Sequence, residues 1–282
     1  VSLVAPMFTL MIAFGDIFGL GGRSAISRLL GEKKDNEAKK TCAFCIWISL
    51  VFGLCISAIL LLFRTQILRL LGVGKDTYQY ANASYTWIAI GAVSIIFSMV
   101  PSNILRTEGL AVQSMAGSII GSIVNIIFDP IFIFGLNQGA AGAAMATVLG
   151  NIIADIYYVY AVVKKSKRLT CSPSHMKVTG RRIRDILMIG IPASITNIMQ
   201  TFMMVMTNNF LLTYGTDKVA AMGIALKVNM ITALVLVGFA FGGQPLVGYN
   251  YGAKNEKRLK NILKFAYLFE MGLGLLFTIL MC

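Results

Sequence analysis

Eight apolar runs, at about 1–29, 41–63, 81–104, 111–135, 139–163, 186–213, 218–248 and 261–282, constrain this chain more than any other feature. An α-helix needs roughly 20 apolar residues to cross a bilayer, and each run is close to or beyond that length. A helix also satisfies its own backbone polar groups, which hydrocarbon cannot do. The predicted fold class is therefore all-α, a polytopic transmembrane helix bundle of about eight helices. Composition agrees. Apolar residues make up 57% of the chain and charged residues 13%, with a mean hydropathy of +0.75. Soluble domains hold roughly 45–50% and about 25%.

The net charge of +13 would point to nucleic acid in a soluble chain. Here the basic residues gather in alternate loops. Residues 31–40 hold Lys33, Lys34, Lys39 and Lys40, and 105–110 hold Arg106. Residues 164–185 are the richest, from Lys164 to Arg184, and 254–260 add Lys254, Lys257, Arg258 and Lys260. The opposite loops carry only Arg64, Arg69, Lys75 and Lys218. Positive loops stay in the cytoplasm, so the first set is assigned there and each run crosses once. Nucleic acid is not an expected partner. Membrane lipid is, and the chain is read as a multi-pass protein of the cell (inner) membrane.

The organisation expected is an amino-terminal lobe (1–163), a cytoplasmic linker (164–185) and a carboxy-terminal lobe (186–282). The chain opens at Val1 and closes at Cys282 inside apolar runs, so a longer parent protein is expected. Asp16, Arg23 and the lack of a basic leader argue against a signal peptide at the start. On the outer side, 64–80 reads as a short amphipathic helix with Ile67, Leu68, Leu70 and Leu71 towards lipid. Gly31 is the expected C-cap of the first helix. Cys42 and Cys45 form a CxxC on an apolar helix with no second pair and no neighbouring His, which favours packed thiols over metal or redox chemistry.

The run at 111–135 carries the most chemistry. Asn125 and Asp129 are one helical turn apart and share a face. Pro130 removes a backbone donor and frees a carbonyl one turn earlier. A carboxyl at the bilayer centre costs about 2.5–3.5 kcal/mol on insertion scales, which function or a good partner must offset. A proton or cation site that moves with the helix is one reading; a hydrogen bond between packed helices is the other. Gly117 and Gly121 form a GxxxG, assigned to helix packing.

Other ionisable residues within apolar runs are Asp16, Arg23, Asp155, Lys227 and Glu270. Arg106 and Glu108, near a cytoplasmic helix end, are expected to pair with each other. The sixth run places Asn197, Gln200 and Met204 at helical spacing, with Asn208 further on. That face is polar and soft, as suits a surface accepting varied ligands, although methionines also serve as core. An internal repeat aligns FGLGGRSAISRLLGEKK (18–34) with FAFGGQPLVGYNYGAKN (239–255) without a gap. Both copies precede a basic loop, and parallel repeats recur in secondary transporters.

ISRLLGEKKDNEAKK, NILRTEG, NIIFDPIFIFG and GGQPLVGYNYGAKNEKR together resemble the multidrug and toxic compound extrusion family, in its prokaryotic DinF-like branch. The resemblance implies a monomeric twelve-helix antiporter of two six-helix lobes, of which this chain supplies the second to ninth helices. It implies a cation or proton site at Asn125 and Asp129 with a hydroxyl at Thr147, and a further Asp on a first helix outside this chain. Where a NorM-type relative has a Glu eight residues after the proline of its seventh helix, this chain has Gln200. The resemblance also implies no enzyme activity and no cofactor beyond H⁺ or Na⁺ as coupling ion. The expected substrates are small lipophilic cations in a cavity lined by Gln200, Asn197, Met204, Asn208 and Lys227. A flippase for lipid-linked precursors or polysaccharide, in the same wider superfamily, is the competing function.

Overall fold

The computed structural model describes residues 5–70, 78–212 and 216–281. Each of the eight apolar runs is a long helix. With a short α3 (Arg64–Leu70) after the second, the α-helices in chain order are α1 (Ala5–Gly31), α2 (Asp35–Leu62), α3, α4 (Tyr78–Thr107), α5 (Ala111–Pro130), α6 (Gly139–Lys165), α7 (Gly180–Leu212), α8 (Thr216–Gly252) and α9 (Glu256–Met281). Among the described residues, α2, α4, α5 with the turn that follows it, α6, α8 and α9 are long and apolar enough to cross a membrane. The side chains at the start of α1 and over much of α7 lie outside the described residues.

The helices fall into two compact units. The first comprises 1–26 and 35–198, the second 27–34 and 199–282. In the first unit α4 packs against α2, α5 and α6, and α5 packs along α6. Alternate small residues let α5 and α6 meet closely. A Cβ on Gly150 would lie 2.6 Å from the Gly121 carbonyl oxygen, and one on Gly121 would lie 2.9 Å from that of Gly150. Gly117 in turn lies under the ring of Tyr158. The GxxxG is thus a packing device, as its spacing implies.

α3 differs from expectation. Leu68 is fully buried and joins Leu60, Tyr85 and Met11 in an apolar cluster, with Ile67 packed against it. The helix therefore covers the bundle end instead of presenting this pair to lipid. Burying a leucine is worth about 1.5–3 kcal/mol relative to leaving it exposed to water at the membrane surface. The side chain of Leu70 and the whole of Leu71 lie outside the described residues.

The expected pairing of Arg106 with Glu108 also differs. Arg106 Nε donates to Ser114 Oγ at 3.0 Å, across the α4–α5 turn. Glu108 instead reaches the chain after α6. Its Oε1 accepts from the backbone N–H of Lys167 (2.8 Å) and Arg168 (2.7 Å), and Ser166 Oγ donates to its Oε2. A carboxylate is better satisfied by converging donors than by one cation at a wet surface. Trp47 Nε1 donates to the Cys171 carbonyl at 2.9 Å, a second tie on the same segment.

In the second unit α8 and α9 pack together. The two copies of the internal repeat end alike. Lys33 takes φ 59° and Lys254 φ 53°. Lys34 N bonds Leu29 O (2.9 Å) and Lys33 N bonds Leu30 O (3.2 Å); Asn255 N bonds Asn250 O (3.0 Å) and Lys254 N bonds Tyr251 O (3.1 Å). Both are Schellman endings, with the lysine in the left-handed position. Gly31 is therefore not the cap. The helix runs through it, and it is needed because a Cβ there would overlap the Tyr249 carbonyl.

Candidate functional site: a polar cleft in the first unit

α5 does not stop at Pro130. The missing proline N–H breaks the i→i−4 ladder, and residues Ile131–Gly135 form a π-helical turn closed by Leu136 N to Ile131 O at 3.0 Å. Such turns inside apolar helices often mark functional positions. Asp129 sits directly before this turn, half-buried. Its Oδ1 is buried with no hydrogen-bond partner among the described residues. An unsatisfied carboxyl oxygen away from water is costly.

One turn back, Asn125 Nδ2 donates to Thr147 Oγ1 on α6 at 3.3 Å. Thr147 Oγ1 itself donates to the Ala143 carbonyl at 2.9 Å, which fixes its rotamer. The structure therefore joins Asn125 to Thr147, whereas no hydrogen bond links Asp129 to either one. The Gly121–Gly150 crossing sits one turn away, and a Cβ on Gly150 would lie 3.4 Å from that of Asn125. This close approach brings the two polar side chains within reach.

Asn125 and Thr147 line a cleft of about 270 Å³ between α4, α5 and α6, shared with Ser98, Ser118, Ser122, Asn151 and Tyr158. Ser118 Oγ and Tyr158 Oη are 2.8 Å apart, and Asn151 Nδ2 donates to the Thr147 carbonyl at 2.8 Å. Sequence reasoning missed this group. Its signal was available: Ser114, Ser118 and Ser122 recur every four residues and lead towards Asn125 and Asp129 on the same helix. Hydroxyls and amides in this arrangement can strip and replace water around a small ion without adding charge.

Asn197 is placed elsewhere in the first unit. Its Nδ2 donates to Asp16 Oδ2 at 2.8 Å, joining α7 to α1, with Asp16 and Arg23 both buried. The side chains of Gln200, Met204, Asn208 and Lys227 lie outside the described residues.

The MatE family model matches residues 1–131 and 192–282. A multidrug export protein MepA of Staphylococcus haemolyticus is 34% identical over 264 residues, 94% of this chain and 58% of that protein. MepA of Staphylococcus aureus is 30% identical over 281 residues, covering 100% of this chain and 61% of its own. Among solved structures, a MATE protein in the straight conformation superposes with a TM-score of 0.92 at 28% identity, over 98% of this chain and 62% of that one. An outward-facing multidrug resistance MATE transporter of the MOP superfamily gives 0.90 at 27% identity, over 98% and 62%. The chain thus spans about three-fifths of the length of these relatives. The family match, the sequence identities and the shared helical fold lead to one conclusion: this chain belongs to the MatE family, a family of multi-pass membrane transporters and not of enzymes.

Proposed function

We propose that the protein to which this chain contributes is a secondary active antiporter in the cell (inner) membrane. It exports lipophilic, cationic drugs or toxic compounds in exchange for H⁺ or Na⁺. The observation that carries the reading is Asp129, with a buried unpartnered oxygen, four residues after Asn125 of the polar cleft and just before a π-helical turn. Neutralising that oxygen lowers the cost of keeping it in hydrocarbon, so occupancy by the driving ion and the shape of the turn are linked. The names of the MepA relatives support multidrug export as the direction of work. A charge crossing the membrane potential supplies about 2.3 kcal/mol per 100 mV.

Ethidium efflux from proteoliposomes holding the full-length protein tests this. An inward H⁺ or Na⁺ gradient should drive efflux, and its collapse should stop it. Asp129→Asn should insert and fold normally yet lose gradient-driven efflux. Asn125→Ala and Thr147→Ala should shift ion dependence more than dye affinity. Native-rate transport by Asp129→Asn would remove the coupling role. Translocation of a lipid-linked pyrophosphate with no response to the dye would favour the flippase function.

A further inference from the structure

Two polar residues from distant parts of the chain meet inside the apolar bundle. Asn197 Nδ2 of α7 donates to Asp16 Oδ2 of α1 at 2.8 Å, across 181 positions, and Asp16 is buried. The face of α7 that reaches α1 is narrow. Ile186, Gly190, Ser194 and Asn197 follow one another at single-turn steps, with Ile186 and Ser194 buried while Met188, Ile191 and Ile195 are exposed. Towards the basic loops the two helices cross backbone to backbone. A Cβ on Gly21 would overlap the Ile186 carbonyl, and one on Gly190 would overlap the Ile17 carbonyl. The Arg23 charge lies within electrostatic reach of Asp16, and Arg106 of α4 within reach of Arg23 in turn. The carboxylate is thus held by an amide donor and offset by a nearby cation.

We infer that Asp16 is a positioning residue for transport: through Asn197 it holds α7 against α1, and this tie breaks when the crossing opens towards the cytoplasm. Helix association within hydrocarbon has no hydrophobic drive, so packing and interhelical hydrogen bonds decide whether two helices stay together. Here the packing is backbone on backbone, and the hydrogen bond is charge-assisted, roughly twice as strong as a neutral one. Parting the helices takes this donor from the carboxylate, which is costly until water enters. The tie therefore favours the closed crossing and gives way only to a wetted one. In sequence α1 precedes the basic linker 164–185 and α7 follows it, so the tie joins the two halves of the chain that alternating access moves against each other. The transport role rests on the antiporter reading above; the closure of the crossing does not.

The test is the reaction of Ser194→Cys in full-length protein with an impermeant maleimide, in inside-out vesicles without a gradient, read by mass spectrometry of its own peptide. Ser194 lies one turn beyond the Gly190 crossing from the cytoplasmic loops, so a closed crossing shields it and the reaction should be slow. Added to this parent, Asn197→Ala and Asp16→Ala should each speed it about fivefold, in keeping with measured polar ties between membrane helices. The exchange Asp16→Asn with Asn197→Asp rebuilds the bond in reverse and should return the rate to the parent's, which a defect of packing alone would not allow. Efflux of ethidium should slow in Asn197→Ala and recover in the exchange. Asp129→Asn should label like the parent, so that failure of the export reading and failure of this tie read differently. The inference is overturned if Asn197→Ala labels or exports at the parent's rate, or if the exchange labels as fast as the single variants. Rapid labelling of the parent itself overturns it as well.

Discussion

Ser27 packs directly on the Cα of Gly248, and the two residues hold the same position in the internal repeat. Around this pair the contacts are reciprocal. Gly31 faces the Tyr249 carbonyl and Gly252 faces the Arg28 carbonyl, while Gly31 and Gly252 are equivalent, as are Arg28 and Tyr249. A repeat in the sequence has become a local two-fold contact between the ends of α1 and α8, of the self-complementary kind known from symmetric dimers.

An ideal Cβ on residue 248 would lie 3.0 Å from Ser27 Cβ, a few tenths of an ångström inside the usual disulfide range of about 3.5–4.5 Å. Ser27→Cys with Gly248→Cys should therefore oxidise readily to an intramolecular disulfide, seen as a reducible mobility shift. Absence of any cross-link under copper phenanthroline would show that the two ends do not meet.

Gly31→Val and Gly252→Val should each lower the thermal midpoint of the purified full-length protein, and by similar amounts. Each inserts bulk against a backbone carbonyl, a class of change costing about 1–3 kcal/mol. The double variant should cost clearly less than the sum, because one separation of the helix ends relieves both overlaps. Strict additivity would mean the two sites act apart.

Glu108→Ala removes the acceptor of three hydrogen bonds and should free the segment after α6. Hydrogen bonds to a charged group contribute about 1.5–3 kcal/mol each when protected from water, and less at this partly exposed position. Trypsin should cleave at Lys167 or Arg168 several-fold faster in the variant than in the parent. Arg106→Ala should leave that cleavage rate unchanged, since Arg106 bonds Ser114 instead.

Thiol labelling tests orientation and burial together. Cysteines replacing Lys167 or Lys257 should resist impermeant maleimides in intact cells and react in inside-out vesicles; Gln138→Cys should do the opposite. Burial pushes the native Cys171 thiol up to about 11. Its thiolate is scarce at neutral pH and grows as pH rises, so its labelling rate should still climb steeply between pH 8 and 9.5. An exposed thiol, with a pKa near 8.5, should be levelling off there.

The positions of the helices were legible because run length and helical period are local properties. The shared face of Asn125 and Asp129 and the distortion after Pro130 follow from the same local geometry. So does the repeat, although nothing in one dimension said that its copies touch. Which side chains meet across helices was decided elsewhere. Glu108 binds a segment some sixty residues away instead of its neighbour Arg106, Leu68 turns into the core, and Asp155 finds Ser94 across 61 positions. Thr147 was placed beside Asn125 by family resemblance, and geometry supplies the reason: Gly121 and Gly150 let α5 and α6 approach until carbonyl oxygen meets Cα. Helix rotation and crossing distance are set by the packing of many small residues at once. Only the folded bundle, where those contacts are satisfied together, determines which polar groups are left facing one another.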